Sequence, residues 1–411
     1  MTKPPSKVLV LGNLLQTITV IRSLSKAGYH VVLGSEEEKD FTQCSRHVSQ
    51  VWRHPPIIES EGEFIAALAA FLAQRAAISS VLPVGGAQIR CLMRHKDAIP
   101  SSVGLVMADL EVLRTCFDKL RVLEIASQIG IPRAEYAKVS EYSELAPTAD
   151  RIGYPCVAKL NDSRRTLFGN KALIVTTAAE LEQKIPSWPA GSEFLILQKF
   201  APGFRHNCHF LADRGRHLAY FEQRVLRTSE RNGTGVGVDS ISCAPTVRLR
   251  NYCALLTEKL TYSGVGCAQF LVDDQTGAVS FLEINPRLDA TCALPFYCGY
   301  DFPLMAVRYA EHRRGVLSEA PGNSNSYPVG KRGFSMWRDV TGWARAISTQ
   351  HLSLRESLGW LRDMALTYFL GDFHFIWSWT DPFPAFFLLF WQLLPSIFRW
   401  LARMIGLRRQ H

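Results

Sequence analysis

Two short apolar runs, Gly266-Cys-Ala-Gln-Phe-Leu-Val272 and Phe281-Leu-Glu-Ile-Asn-Pro-Arg287, flank the turn-forming Asp273-Asp-Gln-Thr-Gly277. Runs of this length on either side of such a turn predict an antiparallel hairpin. Side chains alternate along a strand, so Glu283, Asn285 and Arg287 share one face. The partner strand can then bring the Gln269 side-chain oxygen beside Glu283. A carboxylate and amide carbonyls are hard donors suited to Mg²⁺. A guanidinium two residues further on is placed to hold a transferring phosphoryl group. The plainer alternative is a polar strand end before a turn.

The rest of the chain arranges further charges around that hairpin. From residue 7 to about 105, short apolar strands (Val8–Leu11, His30–Leu33, Ser80–Val84) alternate with helical patterns (Leu14 to Leu24, Phe64 to Phe71), which implies a parallel sheet. Gly12 ends the first strand, but G-x-G-x-x-G is absent, so NAD binding is rejected. Leu110 to Gly130 reads as one helical segment carrying Asp118-Lys119. Gly153-Tyr-Pro155 launches a strand ending at Lys159, where an ammonium can hold a phosphate oxygen as a point charge. Phe194–Ala201 is another strand. Arg224, Arg227 and Arg231-Asn-Gly-Thr-Gly-Val-Gly237 follow, a loop whose glycines permit close approach to an anion; a hairpin loop without contacts is the alternative.

In this order the landmarks resemble the ATP-grasp superfamily, of the carbamoyl phosphate synthetase large-subunit or carboxylate–amine ligase type, where a Gln precedes a Glu-x-Asn-x-Arg strand. The resemblance covers about residues 7–315. It implies an α/β (α+β ATP-grasp) chain: a Rossmann-like domain at 1–108, an ATP-grasp domain at 109–315 with a small subdomain at about 125–198, a connecting or lid segment at 316–364 and an aromatic-rich extension at 365–411. It implies ATP and Mg²⁺ (or Mn²⁺) as cofactors, with the metal on Gln269, Glu283 and Asn285. Lys119 and Lys159 would meet the phosphates, and backbone groups around Gln198 and Phe200 the adenine edge. Lys199 would lie over the adenine, Ile196 and Leu282 would sandwich it, and His206 would reach the ribose. Arg287, Lys159 and Arg227 are the expected catalytic cations.

The implied reaction activates a carboxylate as an acyl phosphate and joins it to an amine, releasing ADP and phosphate. An ATP-binding scaffold without turnover and a bicarbonate-using carboxylase or carbamoyl-forming enzyme are the alternatives. The segment Asn161 to Lys171 departs from the Gly/Ser-rich phosphate loop common in such proteins. Either Arg164, Arg165 or Lys171 supplies charge in place of backbone amides, or the loop closes poorly.

A formal charge of +9 over 411 residues is modest, and no basic run with interleaved aromatics marks a nucleic-acid groove. Ten dispersed cysteines without Cys-x-x-Cys or zinc spacing fit buried thiols in a reducing compartment, and no export signal is evident, so a cytoplasmic location is expected. From Leu366 aromatic residues accumulate, with Phe369, Phe373, Phe375, Trp377 and Trp379 at alternate positions. The apolar run from Ala385 is interrupted by Pro395 and is followed by Arg399, Arg403, Arg408 and Arg409. It is short for a span. Peripheral membrane contact through 383–411, packing on the protein and insertion are three readings of it. A homodimer is compatible with the sequence.

Overall fold

The computed structural model of the chain describes residues 6–75, 77–162, 165–323, 326–350 and 352–394. Its first unit is a five-stranded parallel sheet in the order Gln50–Arg53, His30–Ser35, Lys7–Leu11, Ile78–Pro83, Gly104–Leu105. Val8 to Leu11 have no exposed surface, as a parallel strand covered on both faces requires. The helices Leu15–Lys26 and Glu61–Ala73 bring their apolar residues onto this sheet.

Two further sheets enclose a cleft. The smaller is antiparallel, in the order Tyr136–Val139, Leu195–Lys199, Cys156–Leu160, Leu173–Val175. Its own core is built on Leu145, Ala158, Leu181 and Leu197. The larger has seven strands: Val279–Asn285, Gly264–Val272, Phe204–Asp213, Arg216–Thr228, Gly237–Cys243, Arg332–Phe334 and Phe373–His374. One of its faces packs Phe221 and Leu211 against the Phe302–Arg313 helix and the first sheet. The other packs Phe210, Phe270 and Phe281 against the Val247–Lys259 helix and residues 112–126. The architecture is a mixed α/β fold with the two-subdomain arrangement of ATP-grasp proteins.

The link from the small sheet to the large one turns at Gly203, whose φ is +119°. A Cβ there would lie 2.3 Å from the Val272 carbonyl oxygen, so only glycine lets the chain pass so close to the hairpin.

Three sequence expectations need correction. Leu110 to Gly130 is two helices, Leu110–Phe117 and Lys119–Gln128. They break at Asp118, whose extended backbone frees its carboxylate to cap the Arg121 amide. Residues 316–364 do more than connect, because Arg332–Phe334 is a strand of the large sheet and Met336–Gln350 a helix against it. The boundary at 364/365 also cuts the helix Leu354–Leu370, which starts in a Ser353/Glu356 capping box and runs on without interruption.

The C-terminal stretch is tied to the first unit as far as it is described. Asp381 is fully buried and accepts from Arg22 Nε (2.9 Å), Ser45 Oγ (2.8 Å) and the Arg46 amide (3.0 Å). Leu388 and Ile376 pack on Ile18 and Phe41. Phe383–Phe387 forms a short helix, continued as a wider turn over Leu388–Leu393. No helix among the described residues is long and apolar enough to cross a membrane. Pro395, Arg399, Arg403, Arg408 and Arg409 lie outside the described residues.

Candidate active site

The strands Gly264–Val272 and Val279–Asn285 pair antiparallel, with Gln269 directly opposite Glu283. The turn is closed by the Gly277 amide on the Asp273 carbonyl at 2.7 Å. Glu283, Asn285 and Arg287 form a chain on one face. The Asn285 amide donates to Glu283 Oε1 (2.9 Å), and Arg287 Nη2 donates to Asn285 Oδ1 (3.3 Å). Gln269 is also directly opposite Asn207 on the next strand, so a polar row crosses three strands.

The small sheet supplies the facing charges. Lys159 Nζ donates to Gln198 Oε1 at 2.8 Å. Lys119, first residue of its helix, donates through Nζ to the Leu160 carbonyl (3.0 Å) and through its amide to Asn161 Oδ1 (2.9 Å). Burial, then the neighbouring Lys119 charge, push the Lys159 ammonium down to about 8, with Glu283 opposing. Burial pushes the Glu283 carboxyl up, but Lys119, the Asn285 amide, Lys159 and Arg287 together outweigh it and hold the group below its ordinary value. One carboxylate thus sits among three cations. Such an excess of positive charge in a recess favours a polyanion.

A cavity of about 1180 Å³ runs past these groups between the two sheets. Lys119, Lys159, Lys199, Phe200 and Leu282 line it, as do Gln198, Gln269, Glu283, Asn285, Arg287 and Arg227. Ten of its lining residues are basic and six acidic, so its net charge is positive. It continues beyond the hairpin to Gly85, Gly86 and Gln88 of the first unit and to Trp360 and Asp363 of the Leu354–Leu370 helix.

Three expected contacts are displaced. His206 does not line the cavity: Arg205 and Asn207 do, and alternation sends His206 through the sheet, where Nδ1 meets Glu222 Oε1 at 2.9 Å. Arg227 reaches the cavity wall, but Asp339 accepts from Nη1 (2.9 Å) and Nη2 (2.5 Å), and Thr367 accepts a third bond, so the guanidinium acts as a clamp. Ile196 is completely buried in the core and Val157 occupies the wall instead. The Phe200 amide, one of the main-chain groups expected at the adenine edge, donates to the Pro155 carbonyl (3.0 Å), while Gln198 and Phe200 line the cavity. Lys199 Nζ donates to the Tyr154 carbonyl at 3.3 Å.

In the atypical loop, Arg165 donates to the carbonyls of Ala190 and Gly191, while Lys171 faces the cavity; Arg164 lies outside the described residues. The Arg231 loop also lines the cavity and is tied by Arg231 to Glu356 at 2.7 Å.

Sequence reasoning missed Asn207, Asp289, Arg205 and Arg338, all on the cavity wall. Asn207 Nδ2 donates to Asp289 Oδ1 (3.3 Å) and Thr291 Oγ1 (3.0 Å). Beneath them His209, Cys267 and Asp289 bring ligand-type atoms within 4.8 Å of one another, a cluster that linear cysteine spacing does not reveal. Strand parity was the available signal, since Asn207 faces Gln269 once the strands are registered. All ten cysteines are free thiols.

Comparison with known proteins places this geometry. The family "Carbamoyl-phosphate synthase L chain, ATP binding domain" matches residues 118–314. The carbamoyl phosphate synthase large chain of Thermomicrobium roseum is 26% identical over 211 residues, which is 49% of this chain and 18% of that one. The chain thus spans about a fifth of the length of the curated synthases it matches. Among solved structures, a biotin carboxylase–βγ-ATP complex from Campylobacter jejuni superposes with a TM-score of 0.60 at 15% identity, covering 80% of this chain and 74% of that one. An L-amino acid ligase from Bacillus licheniformis gives 0.59 at 14% identity, covering 75% and 76%. Residues 118–314 are thus similar to the ATP-binding domain of carbamoyl phosphate synthase large chains, and the chain shares its fold with a biotin carboxylase.

Proposed function

We propose that this protein is an ATP-dependent ligase that converts a carboxylate to an acyl phosphate and joins it to an amine, with ADP and phosphate as the other products. The observation that carries the reading is the pairing of Gln269 with Glu283 in one register, facing Lys119 and Lys159 across the cavity. ATP and Mg²⁺ fit this set: Gln269, Glu283 and Asn285 offer hard oxygen donors, and the surplus of ammonium and guanidinium groups matches a triphosphate. When bound, the metal would neutralise charge on the phosphates.

The chain's own residues would do the positioning. Lys119 and Lys159 hold phosphate oxygens, and Asn285 fixes Glu283 on one side and Arg287 on the other. Arg287 meets the phosphoryl group in transfer. Leu282 and Val157 provide apolar walls for a base, with Lys199 near its edge. Catalysis of this kind rests on placement and charge, so no nucleophilic side chain is required. Arg227 moves in this reading from catalysis to support of the acceptor end of the cavity. The same reading takes small-molecule carboxylates and amines as partners, leaves room for a homodimer, and includes contact of residues 383–411 with a membrane surface.

The test is acceptor-dependent ADP release by the full chain with Mg²⁺, across panels of amino acids, amines and bicarbonate, beside Glu283→Ala. Release that needs both a carboxylic acid and an amine, and vanishes in the variant, supports the ligase. Release with bicarbonate in place of the acid points to a carboxylase or carbamoyl-forming enzyme. Nucleotide binding with no acceptor-dependent ADP points to a scaffold.

A further inference from the structure

The Leu354–Leu370 helix is built inside out for a helix on a protein surface. Its polar side faces inward: Glu356 accepts from Arg231 (2.7 Å), Trp360 Nε1 donates to Asp339 (2.7 Å), and Thr367 accepts from Arg227 (3.1 Å). Gly359, Trp360 and Asp363 of that side line the cavity. Its outward side carries Leu354, Leu358, Leu361 and Phe369 at helical spacing, exposed by 77, 56, 38 and 81%. A helix in contact only with water shows the reverse distribution.

This is not scattered exposure. Thirteen of the 22 large hydrophobic side chains exposed among the described residues fall between 354 and 391, so the apolar surface is concentrated in one part of the chain. The Met336–Gln350 helix packs against both the Leu354–Leu370 helix and the Leu388–Leu393 turn, which puts both exposed groups in one neighbourhood. A concentration of this kind marks a contact surface.

Charge identifies the occupant. Arg355 lies among the exposed leucines, and Arg362 beside them is paired with Asp363 (2.9 Å). From residue 382 to 411 the sequence has four arginines and no Asp or Glu. Trp379 and Trp391 are exposed by 86 and 73%, and indoles favour the headgroup level of a bilayer. A symmetric contact between two copies would bring like charges together, whereas an anionic lipid surface neutralises them. Seventeen residues with four charges are too short and too polar to span, which leaves a contact lying in the surface.

We propose that the outward face of the Leu354–Leu370 helix, with the exposed aromatic side chains of 379–391, docks on an anionic lipid bilayer. The inner side of the same helix walls the cavity, so docking holds the cavity rim beside the lipid. This does not depend on the ligase reading.

The experiment is flotation of the full chain with vesicles of equal parts phosphatidylcholine and phosphatidylglycerol, and with pure phosphatidylcholine. Leu358→Glu/Phe369→Glu changes two exposed positions, and Trp391→Glu probes the tail separately. Thermal unfolding verifies that each variant is folded. The expected result is binding to the anionic vesicles that weakens with salt and falls about tenfold or more in the double variant. Flotation unchanged by the double variant would overturn the proposal, with contact left to the tail alone. No vesicle binding would overturn it as well, including the case of a dimer in sedimentation that the double variant dissociates.

Discussion

Replacing Lys159 by Met separates the functional role of this partly buried ammonium from a structural one, because the two predict opposite signs. Lys159 lies on the cavity wall between Lys119 and Gln198. Its displacement from 10.5 to about 8 means that folding disfavours the charged form. At about 1.4 kcal/mol per pH unit, the cost of keeping it protonated is at most about 3.5 kcal/mol. The folded value is below the unfolded one, so this cost is fully present below pH 8 and disappears as pH rises through 10.5. Methionine removes it at pH 7. The loss of the Lys159–Gln198 bond opposes that gain by about 1–3 kcal/mol, since both polar atoms of Gln198 are then unpaired. The net prediction is unchanged or slightly raised stability in urea unfolding. Nucleotide binding should move the other way. A charge-assisted bond is worth about 1.5–3 kcal/mol, so the Kd for Mg²⁺ with ADP or a non-hydrolysable ATP analogue should rise by about 10- to 150-fold in calorimetry. A variant that binds nucleotide normally and loses more than about 1 kcal/mol of stability would refute the argument.

Three other outcomes follow from the same geometry. Nucleotide affinity should be flat below about pH 7 and weaken above pH 8 as Lys159 deprotonates, by up to about tenfold per unit; Lys159→Arg should flatten the profile, and an unchanged profile would count against the assignment. Arg227→Ala should destabilise the fold by about 3 kcal/mol or more in urea, because Asp339 loses its two-point partner; a stable variant with abolished turnover would restore Arg227 to catalysis. Asp381→Ala should cost about 3–5 kcal/mol, since it strands the buried Arg22 guanidinium; a loss under about 1 kcal/mol would show that the C-terminal stretch is loosely held.

Much of the site was legible because its parts are local. Two apolar runs and a turn are enough to register Gln269 with Glu283, and period-two alternation carries the argument on to Arg287. Lys159 at a strand end is similarly local. Errors arose where parity or distant partners decide. His206 and Asn207 are one residue apart, and a single step along a strand exchanges the cavity for the opposite face. Arg227 finds Asp339 112 residues away, which no motif records. The helix break at Asp118 depends on a capping carboxylate inside a pattern that is apolar on both sides. The inverted polarity of the Leu354–Leu370 helix is present in its sequence, but only the structure shows which side meets the cavity.

The central claim is that the Gln269–Glu283 hairpin grips a metal-bound triphosphate. Its most direct test is the position of Mn²⁺ in crystals grown with a non-hydrolysable ATP analogue, located by anomalous scattering. The account predicts one or two peaks in contact with Glu283 and with the oxygens of Gln269 or Asn285, and phosphate oxygens reached by Lys119 and Lys159. Metal and phosphates lodged elsewhere, with Glu283 still bonded only to Asn285, would contradict it.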